Sequence, residues 1–416
     1  MLKENDKLHY QVVIVGGGAA GISVASSLLA RDSTLDLAIV EPSDKHYYQA
    51  AFTLVGANAF DPEKTVRNEL ACIPNGVNWI QAAVEQLHPE ENTLTLSPRL
   101  AGGPDKITYD FLIVCPGLSL RWDAIDGLEA TIGKNGVCSN YLHEYALYTR
   151  ECLSSVRSGK LVFTQPPMPI KCAGAPQKIM YLAANSLERK DELDRFELHF
   201  HTATPALFGV AEFVPPLMKY IHRYHIDLNL SSNLVAIDGA RQRATFRQGD
   251  KEFTQEFDII HVVPPQAAPA FIASSPCADS NGWLDVDQFT LQSNTHENIF
   301  GLGDVISAPN AKTAAAVRKQ VPVVCENILA RINGQAFTAG YNGYGACPLT
   351  VEHGRVVLAE FGYGGKLLPS FPVDNTRPSR MAWILKRQLM PYIYWDLMLK
   401  GREWLAGALP LEKVRS

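Results

Sequence analysis

Eight cysteines are the most reactive side chains in this sequence, at positions 72, 115, 138, 152, 172, 277, 325 and 347. They form no C-x-x-C pair and have no histidine partner at zinc spacing, so we expect neither a metal site nor a disulfide scaffold. Cys172 follows Lys171 in a Pro/Gly-rich loop, and the neighbouring positive charge favours the nucleophilic thiolate. Cys347 lies among small residues, which leave a sulfur accessible for exchange. The residues alone barely separate these two from Cys115 and Cys138, because a free cysteine is most often a small buried side chain.

A glycine-rich turn stands between an apolar strand and a helix near the start of the chain. Residues 11–15 read QVVIV, and the following GGGAAG contains Gly16, Gly18 and Gly21. The first glycine permits the turn, the second admits a pyrophosphate, and the third lets helix and strand pack closely. A second strand ends at Glu41, whose carboxylate can hydrogen-bond the ribose hydroxyls. We predict that these three glycines and Glu41 bind a dinucleotide, although the motif does not separate FAD from NAD.

Two later segments indicate that the dinucleotide is FAD. Residues 109–117 (YDFLIVCPG) form a short apolar strand that ends at Gly117, and residues 298–305 (NIFGLGDV) form another that ends at Gly303 and Asp304. Both resemble the later motifs of the FAD-binding disulfide-reductase superfamily. By that resemblance Asp304 holds the ribityl chain, and the next helix directs its positive N-terminal end at the flavin. Gly117, Gly303 and Asp304 are therefore expected to bind the cofactor.

We expect an α/β chain with two Rossmann-like dinucleotide-binding domains, the first of which is discontinuous. Residues 1–145 and 285–345 carry the FAD motifs, residues 146–284 form the inserted second domain, and residues 346–416 form a C-terminal domain with amphipathic helices. In the second domain the strand at residues 160–164 is followed by prolines instead of another glycine motif. Proline lacks the N–H that would hold a pyrophosphate, so we predict no NAD(P)H site there.

Five segments resemble the sulfide:quinone oxidoreductase family, in the branch that includes the mitochondrial enzymes. They are YYQAAFTLVG (47–56), PIKCAGAPQKIMY (169–181), KTAAAV (312–317), YNGYGACPL (341–349) and LMPYIYW (389–395). The first of these holds no cysteine, unlike the C-x-x-x-x-C helix of disulfide reductases such as glutathione reductase. The electron donor is therefore expected to reach the flavin by another route.

The resemblance implies an FAD enzyme that oxidises sulfide, reduces a membrane quinone and passes sulfane sulfur to sulfide, sulfite or a thiol. It implies that Cys172 and Cys347 are the redox pair, linked directly or through bridging sulfur, and it leaves open which of them takes the persulfide. It also places Gln49 among the cofactor-binding residues. Lys312 is either a positive charge near the flavin or quinone, or an ordinary lysine at a helix start. Cys138 matches a third cysteine of other family members, although its surroundings favour a structural role.

The C-terminal segment differs in composition from the rest of the chain. Residues 377–404 hold three of the six tryptophans, three of the seven methionines, and six Lys/Arg against two acids. We expect an amphipathic helix over residues 380–390, a break at Pro391, and a second helix over residues 392–400. Such residues suit the headgroup boundary of anionic lipid, or else a packed helix pair or a dimer interface.

A lipid-soluble quinone must be met at a membrane surface, so Tyr392, Tyr394 and Trp395 are candidates for its entrance. The sequence has no stretch of about 18 uninterrupted apolar residues, so we expect peripheral (monotopic) attachment to the lipid surface. The first residues lack the pattern of a signal or transit peptide. We therefore expect the cytoplasmic face of a bacterial inner membrane.

Composition and missing motifs separate the remaining classes of function. A net charge of −5 gives no basic excess for nucleic acid, and a homo-oligomer is compatible with the sequence. One alternative, a flavocytochrome-type sulfide dehydrogenase, needs an export signal that the sequence does not show. A type II NADH dehydrogenase needs the second glycine motif. A non-catalytic flavin-bound scaffold remains, and it would tolerate substitution of Cys172.

Overall fold

The structure is a computed structural model, and it describes residues 8–98, 105–371 and 374–415. Most of the N-terminal residues on which the expectation about a signal peptide rests lie outside the described residues. The strands are β1 His9–Val15, β2 Leu37–Val40, β3 Lys45–Tyr47, β4 Val66–Asn68, β5 Val77–Ile80, β6 Val84–His88, β7 Thr93–Leu96, β8 Lys106–Val114, β9 Ser119–Leu120, β10 Val137–Cys138, β11 Gly159–Gln165, β12 Phe196–Thr202, β13 Asp227–Asn229, β14 Asn233–Asp238, β15 Arg243–Gln248, β16 Lys251–Glu256, β17 Ile259–His261, β18 Gln266–Ala267, β19 Ile299–Gly301, β20 Ala339–Gly340, β21 Gly345–Glu352, β22 Arg355–Phe361 and β23 Leu409–Pro410. The helices are α1 Ala19–Arg31, α2 Phe52–Gly56, α3 His143–Ser155, α4 Ala175–Glu188, α5 Val214–Arg223, α6 Ala270–Ala273, α7 Ala314–Ile332, α8 Arg380–Ile384, α9 Met390–Tyr392 and α10 Leu411–Arg415.

The first sheet is built around the apolar strand β1. Its order is β5-β2-β1-β8-β7-β6, with β19 also paired to β8. Strands β5, β2, β1, β8 and β19 are parallel, and β7 and β6 extend the sheet in antiparallel pairing. Helices α1 and α7 pack against each other beside it. Since ligands bind at the carboxyl ends of parallel strands, the turns after β1, β2, β8 and β19 share one binding edge.

The second sheet lies between the two parts of the first in chain order. It is fully parallel in the order β10-β17-β11-β12-β13, and an antiparallel sheet β14-β15-β16 follows β13. Strand β10 already belongs to this sheet, although it falls within the range 1–145 predicted for the first part of the FAD domain. Two residues are too few to show a strand period, so the sequence did not reveal this strand.

The C-terminal part contributes to both cores instead of forming a separate one. The hairpin β21-β22 buries Cys347, Leu349 and Val357 against the second domain, whereas Tyr394 and Leu399 are buried in the core of the first. The predicted break at Pro391 is wrong, because helical turns continue from α8 through α9 to residue 400. Wide π turns precede and follow α9, so Pro391 lies inside this continuous helical run, directly after a π turn. The prediction of an α/β dinucleotide-binding fold is confirmed.

Candidate functional site

The glycine turn after β1 is shaped by close contacts of its own backbone. Gly16 has a φ of +103°, and an added Cβ would lie 2.6 Å from the carbonyl oxygen of Cys115. A Cβ on Gly21 would collide with the carbonyl oxygen of Gly16, so this glycine lets α1 pack against the turn. A Cβ on Gly18 would meet no atom within 4 Å, since this residue faces open space. Cys115 is buried beneath the turn, with its sulfur 3.8 Å from the Gly16 oxygen.

Glu41 lies beside this turn at the end of β2. Its two carboxylate oxygens accept hydrogen bonds from the backbone N–H groups of Gly17 and Ser43, each at 2.8 Å. Burial raises the pKa of the Glu41 carboxyl above its usual value, which the two amide donors partly oppose. The carboxylate therefore stands on the wall of the cavity with part of its hydrogen-bonding capacity directed to the protein itself.

A cavity of about 690 Å³ runs from the glycine turn to the C-terminal helical turns. It is large enough for a dinucleotide or a drug-sized ligand. Most of the predicted cofactor-binding residues lie on its wall, namely Gly18, Glu41, Gln49, Gly117, Gly303, Asp304 and Lys312. Gly16 and Gly21 shape the turn from behind.

Lys312 holds the Gly303–Asp304 turn in place. Its Nζ donates to the backbone oxygens of Asp304 (2.7 Å) and Ile306 (3.0 Å), and it lies 4.1 Å from the ring centre of Trp283. Burial lowers the pKa of Lys312 to about 8. Burial also raises the pKa of the Asp304 carboxyl above its usual value. Lys312 is therefore a buried lysine on the cavity wall that loses its proton more readily than an exposed lysine.

Cys172 and Cys347 come together although they lie on different domains of the sequence. Their sulfurs are 3.9 Å apart, longer than the ~2.05 Å of a disulfide bond. Cys172 lines the cavity, and Cys347 lies behind the wall between Ala346 and Pro348. Gly174 permits this approach, because an added Cβ there would lie 2.5 Å from the Cys347 sulfur.

The loop that carries Cys172 is held in an unusual conformation. Cys172 has a φ of +50°, in the left-handed region that non-glycine residues rarely adopt. Its N–H donates to the carbonyl oxygen of Lys312 at 2.9 Å, and its own carbonyl accepts from the N–H of Ala175 at 2.7 Å. Backbone conformations of this kind persist where the surroundings fix them, often at functional sites. The loop is thereby tied to the FAD-domain segment that carries Lys312.

Two buried lysines that sequence reasoning missed surround the cysteine pair. The Nζ of Lys178, on α4, donates to the Cys172 sulfur at 3.0 Å. Lys386, in the C-terminal helical turns, donates to the carbonyl oxygen of Pro348 at 2.9 Å. Both side chains are at most 5% exposed. The sequence predicted Lys171 as the cation beside Cys172, but the Nζ of Lys171 instead donates to Gln49 Oε1 at 2.7 Å.

These contacts separate the acidities of the two thiols. The hydrogen bond from Cys347 and the charge of Lys178 lower the pKa of Cys172 well below its usual value, against the opposing effect of burial. The pKa of Cys347 is raised because its thiol donates to Cys172 and because it is buried. Burial and then the charge of Lys178 lower the pKa of Lys386. The site therefore favours a Cys172 thiolate beside a protonated Cys347.

The three predicted quinone-entrance residues have different surroundings. Tyr392 is 50% exposed on the outer face of the helical turns. Tyr394 lines the cavity, but its hydroxyl is bonded to His46 Nε2 at 2.6 Å. Trp395 is buried and is not part of the cavity wall. The Arg67 guanidinium lies over its indole ring, 4.1 Å from the ring centre. The cavity is instead closed on this side by apolar residues, namely Phe371, Leu385, Met390, Ile393, Met398, Trp404 and Leu405.

The part of the chain that the structure describes has neither a metal-type cluster nor a membrane-spanning helix. No group of three or more His, Cys, Asp or Glu side chains among those residues has the arrangement of a metal site. No helix within the described ranges is both long and apolar enough to cross a bilayer. Cys138 is fully buried in the second core, where it packs with Cys152.

Comparison with known proteins identifies the family. Residues 10–148 match the model of the pyridine nucleotide-disulphide oxidoreductases. The mitochondrial sulfide:quinone oxidoreductase of Mus musculus is 37% identical over 398 residues, which cover 95% of this chain and 87% of that protein. The Dictyostelium discoideum enzyme of the same name is 39% identical over 405 residues, covering 96% and 88%.

A solved structure shares the whole architecture. The sulfide:quinone oxidoreductase of Aquifex aeolicus superposes with a TM-score of 0.78 over 95% of this chain and 92% of that chain, and at 19% identity this likeness supports the fold alone. The identity to the two curated relatives, by contrast, exceeds 30% along nearly the full length of each. The chain therefore belongs to the sulfide:quinone oxidoreductase family.

Proposed function

We propose that this chain oxidises sulfide through the Cys172–Cys347 pair and delivers the electrons, by way of FAD, to a quinone. The observation that carries the proposal is that Cys172 lines the cavity that also contains the glycine turn, with Lys178 beside its sulfur and the Cys347 sulfur 3.9 Å away behind the wall. A dinucleotide site and an exchangeable cysteine pair in one cavity are the two parts that this chemistry needs.

The residues of the cavity wall fit FAD. The open face of Gly18 leaves room for a pyrophosphate at the N-terminus of α1, where unpaired N–H groups and the helix dipole favour an anion. Glu41 and Asp304 stand at the ends of β2 and β19, where acidic residues can accept from ribose and ribityl hydroxyls. When bound, FAD supplies a two-electron acceptor between the cysteine pair and the quinone.

The lowered pKa of Cys172 and the raised pKa of Cys347 suggest which cysteine leaves and which carries the persulfide. Hydrosulfide attacks the sulfur held by Cys347 in the oxidised pair, the sulfur–sulfur bond toward Cys172 breaks, and Cys172 leaves as a thiolate with the bonding electrons. A thiol of lower pKa is the better leaving group, and Lys178 stabilises the charge that it acquires. The persulfide therefore forms on Cys347, and its outer sulfur passes to an acceptor, which can be sulfide, sulfite or a thiol. The Cys347 thiolate left behind would re-form the bond to Cys172 as the pair gives up two electrons, which FAD, when bound, would accept. This order is our proposal for a choice that the sequence left open.

The outer face of the C-terminal helical turns is the proposed contact with lipid. Four large apolar side chains are exposed there, Met381 at 77%, Ile384 at 52%, Leu389 at 39% and Tyr392 at 50%. Exposed apolar surface flanked by arginines suits the interfacial region of a membrane. The apolar cavity wall on the inner face then gives a quinone access from that surface. The two curated relatives described above are named mitochondrial, whereas the sequence led us to expect a bacterial inner membrane; the compartment stays a prediction.

An anaerobic titration tests this function directly. Sulfide added to the purified protein is expected to bleach the flavin absorbance, and a short-chain quinone is expected to restore it. Cys172→Ser should abolish the bleaching while the flavin remains bound. Cys277→Ser is the matched control, because Cys277 is buried near His296 in the FAD-domain core, away from the pair. Bleaching by NADH but not by sulfide would refute the proposal and favour an NADH dehydrogenase.

A further inference from the structure

Three buried polar side chains form a hydrogen-bonded chain that neither the cysteine chemistry nor the cofactor motif uses. His46, on β3, approaches Tyr394 with its Nε2 (2.6 Å) and Glu69 Oε2 with its Nδ1 (3.2 Å). Glu69 follows β4, the antiparallel partner of β3, and Tyr394 belongs to the C-terminal helical turns. All three side chains are at most 4% exposed. Buried polar groups of this kind are retained only when they are well bonded, and their loss is costly.

The same histidine touches the glycine turn. His46 Nδ1 lies 3.1 Å from the carbonyl oxygen of Gly17. Since the Gly17 carbonyl oxygen can only accept, Nδ1 is the donor in that contact, and Nε2 shares the second hydrogen bond with the Tyr394 hydroxyl. An added Cβ on Gly17 would lie 2.5 Å from Glu69 Oε1, and that oxygen has no hydrogen-bond partner in the described residues. Glu69 Oε1 is therefore a buried acceptor that packs against the glycine turn without a hydrogen-bond donor among those residues.

The segment beyond Tyr394 is also fastened to the helix that follows this turn. Ser26 Oγ, on α1, donates to the carbonyl oxygen of Leu399 at 2.8 Å. Arg31, at the end of α1, pairs with Glu403 at 2.7 Å, and Ser27 also bonds the Glu403 carboxylate. The C-terminal segment thus reaches the glycine turn through His46 and contacts the following helix directly, and in this fold the turn and the helix bind a pyrophosphate.

The cavity runs between these two parts of the chain. Gly17, Gly18 and Ala20 line it on one side, and Tyr394, Met398 and Trp404 line it on the other. A ligand bound at the glycine turn would therefore contact both walls of the cavity. Its binding would stabilise the conformation in which the C-terminal segment is docked. Two binding events that stabilise the same arrangement are coupled, and the coupling is reciprocal.

We propose that Glu69, His46 and Tyr394 are positioning residues that couple occupancy of the dinucleotide site to docking of the C-terminal segment 393–405. The inference rests on the proposed function in one respect, that the dinucleotide is FAD. His46 and Tyr394 act through the Gly17 turn and the docked segment. The loss of one of these hydrogen bonds then has two effects: FAD is released faster, and segment 393–405 detaches more often.

Release of FAD from the purified holoprotein tests the coupling. Tyr394→Phe keeps the ring and removes the hydroxyl that is hydrogen-bonded to His46 Nε2, which leaves this buried ring nitrogen without its partner. An unpaired buried group of this kind corresponds to a roughly tenfold faster release of FAD, followed by the rise of free flavin fluorescence. His46→Gln is the second variant, and the effects of the two should be less than additive because they break the same bond. Tyr392→Phe is the matched control, since this exposed tyrosine lies on the same helical turns without contact to His46.

Limited digestion with trypsin, with and without added FAD, distinguishes coupling between the two sites from a general loss of stability. Trypsin cuts after Lys400 and Arg402, both exposed in the docked segment. Cleavage there should be faster in Tyr394→Phe than in the wild type and should slow again when excess FAD is added. FAD release within twofold of the wild type, or faster cleavage that excess FAD does not slow, would overturn the inference. A wild-type protein that carries no FAD would instead refute the proposed function, so the two failures are distinguishable.

Discussion

Replacement of Lys178 by methionine should raise the pKa of Cys172 and slow its chemistry. The Lys178 ammonium lies 3.0 Å from the Cys172 sulfur, and a hydrogen bond between charged groups contributes about 1.5–3 kcal/mol. At about 1.4 kcal/mol per unit, its loss raises the thiol pKa by about one to two units. Because Met has a similar length and no charge to bury, the fold should tolerate the change, and any loss of reactivity then reports on the thiolate.

The effect on rate is smaller than the effect on acidity. Where the pH lies below the thiol pKa, each unit lowers the thiolate fraction tenfold. Nucleophilicity rises with pKa at a Brønsted slope of about 0.4–0.5, so the net loss is about threefold per unit. We therefore expect alkylation of Cys172 by iodoacetamide to slow about threefold to tenfold at a fixed pH, and the midpoint of its pH profile to move upward by one to two units.

The assay measures alkylation of the reduced protein as a function of pH, with the Cys172 peptide quantified by mass spectrometry. Lys190→Met is the matched control, because Lys190 is exposed just beyond the end of α4 and does not contact either sulfur. An unchanged midpoint in Lys178→Met, with the protein folded and flavin-loaded, would show that Lys178 does not stabilise the thiolate. An equal shift in both variants would attribute the change to net charge instead of to this contact.

Three further predictions concern the neighbouring positions. Gly174→Ala would put a Cβ 2.5 Å from the Cys347 sulfur and into Leu349, so we expect loss of sulfide-driven bleaching with flavin retained; bleaching at the wild-type rate would count against the close approach. Gly18→Ala meets no protein atom, so thermal unfolding without FAD should be unchanged while the flavin content of the purified protein falls; full flavin content would contradict a pyrophosphate at this turn. Lys312 has a pKa of about 8 when folded and about 10.5 when unfolded, so between these pH values the unfolded state binds more protons and stability rises with pH, on the order of 3 kcal/mol in total. Denaturant unfolding of the wild type and of Lys312→Met should show this rise in the wild type alone.

The sequence predicted the FAD-domain turn well because each part of the motif has a local cause. Gly16, Gly21 and Glu41 act through backbone contacts within or next to the β1–α1–β2 unit, and strand, turn and helix follow one another in the sequence. Such short-range rules leave a pattern that can be read without tertiary information. The structure accordingly places these residues where the motif requires a dinucleotide.

The cysteine site is different because its two sulfurs come from distant parts of the chain. Packing of the hairpin β21-β22 on α4 brings Cys347 to Cys172 and its neighbour Lys178, and no local pattern specifies this packing. Family resemblance pointed to the two cysteines, but little in the sequence indicated that Lys178 and Lys386 lie beside them. Lys178 is buried on α4, and a lysine is rarely buried without a partner. Lys386 was counted among the basic residues of a lipid-facing segment, yet it points inward to Pro348.

The inward direction of Lys386 changes how the C-terminal segment is understood. Its wide turns let one stretch of chain present Lys386 and Met390 to the cavity while Ile384 and Leu389 remain exposed on the opposite side. A π turn adds a residue to the helical repeat and rotates the following side chains, which is one reason such turns recur at functional sites. The segment that we expect to rest on lipid is therefore the same segment that sets the charge near the cysteine pair. Because Lys386 and the exposed apolar side chains share this segment, we expect sulfide-driven bleaching to change when vesicles of anionic lipid are added, and an unchanged rate would count against a link between the lipid face and the cysteine pair.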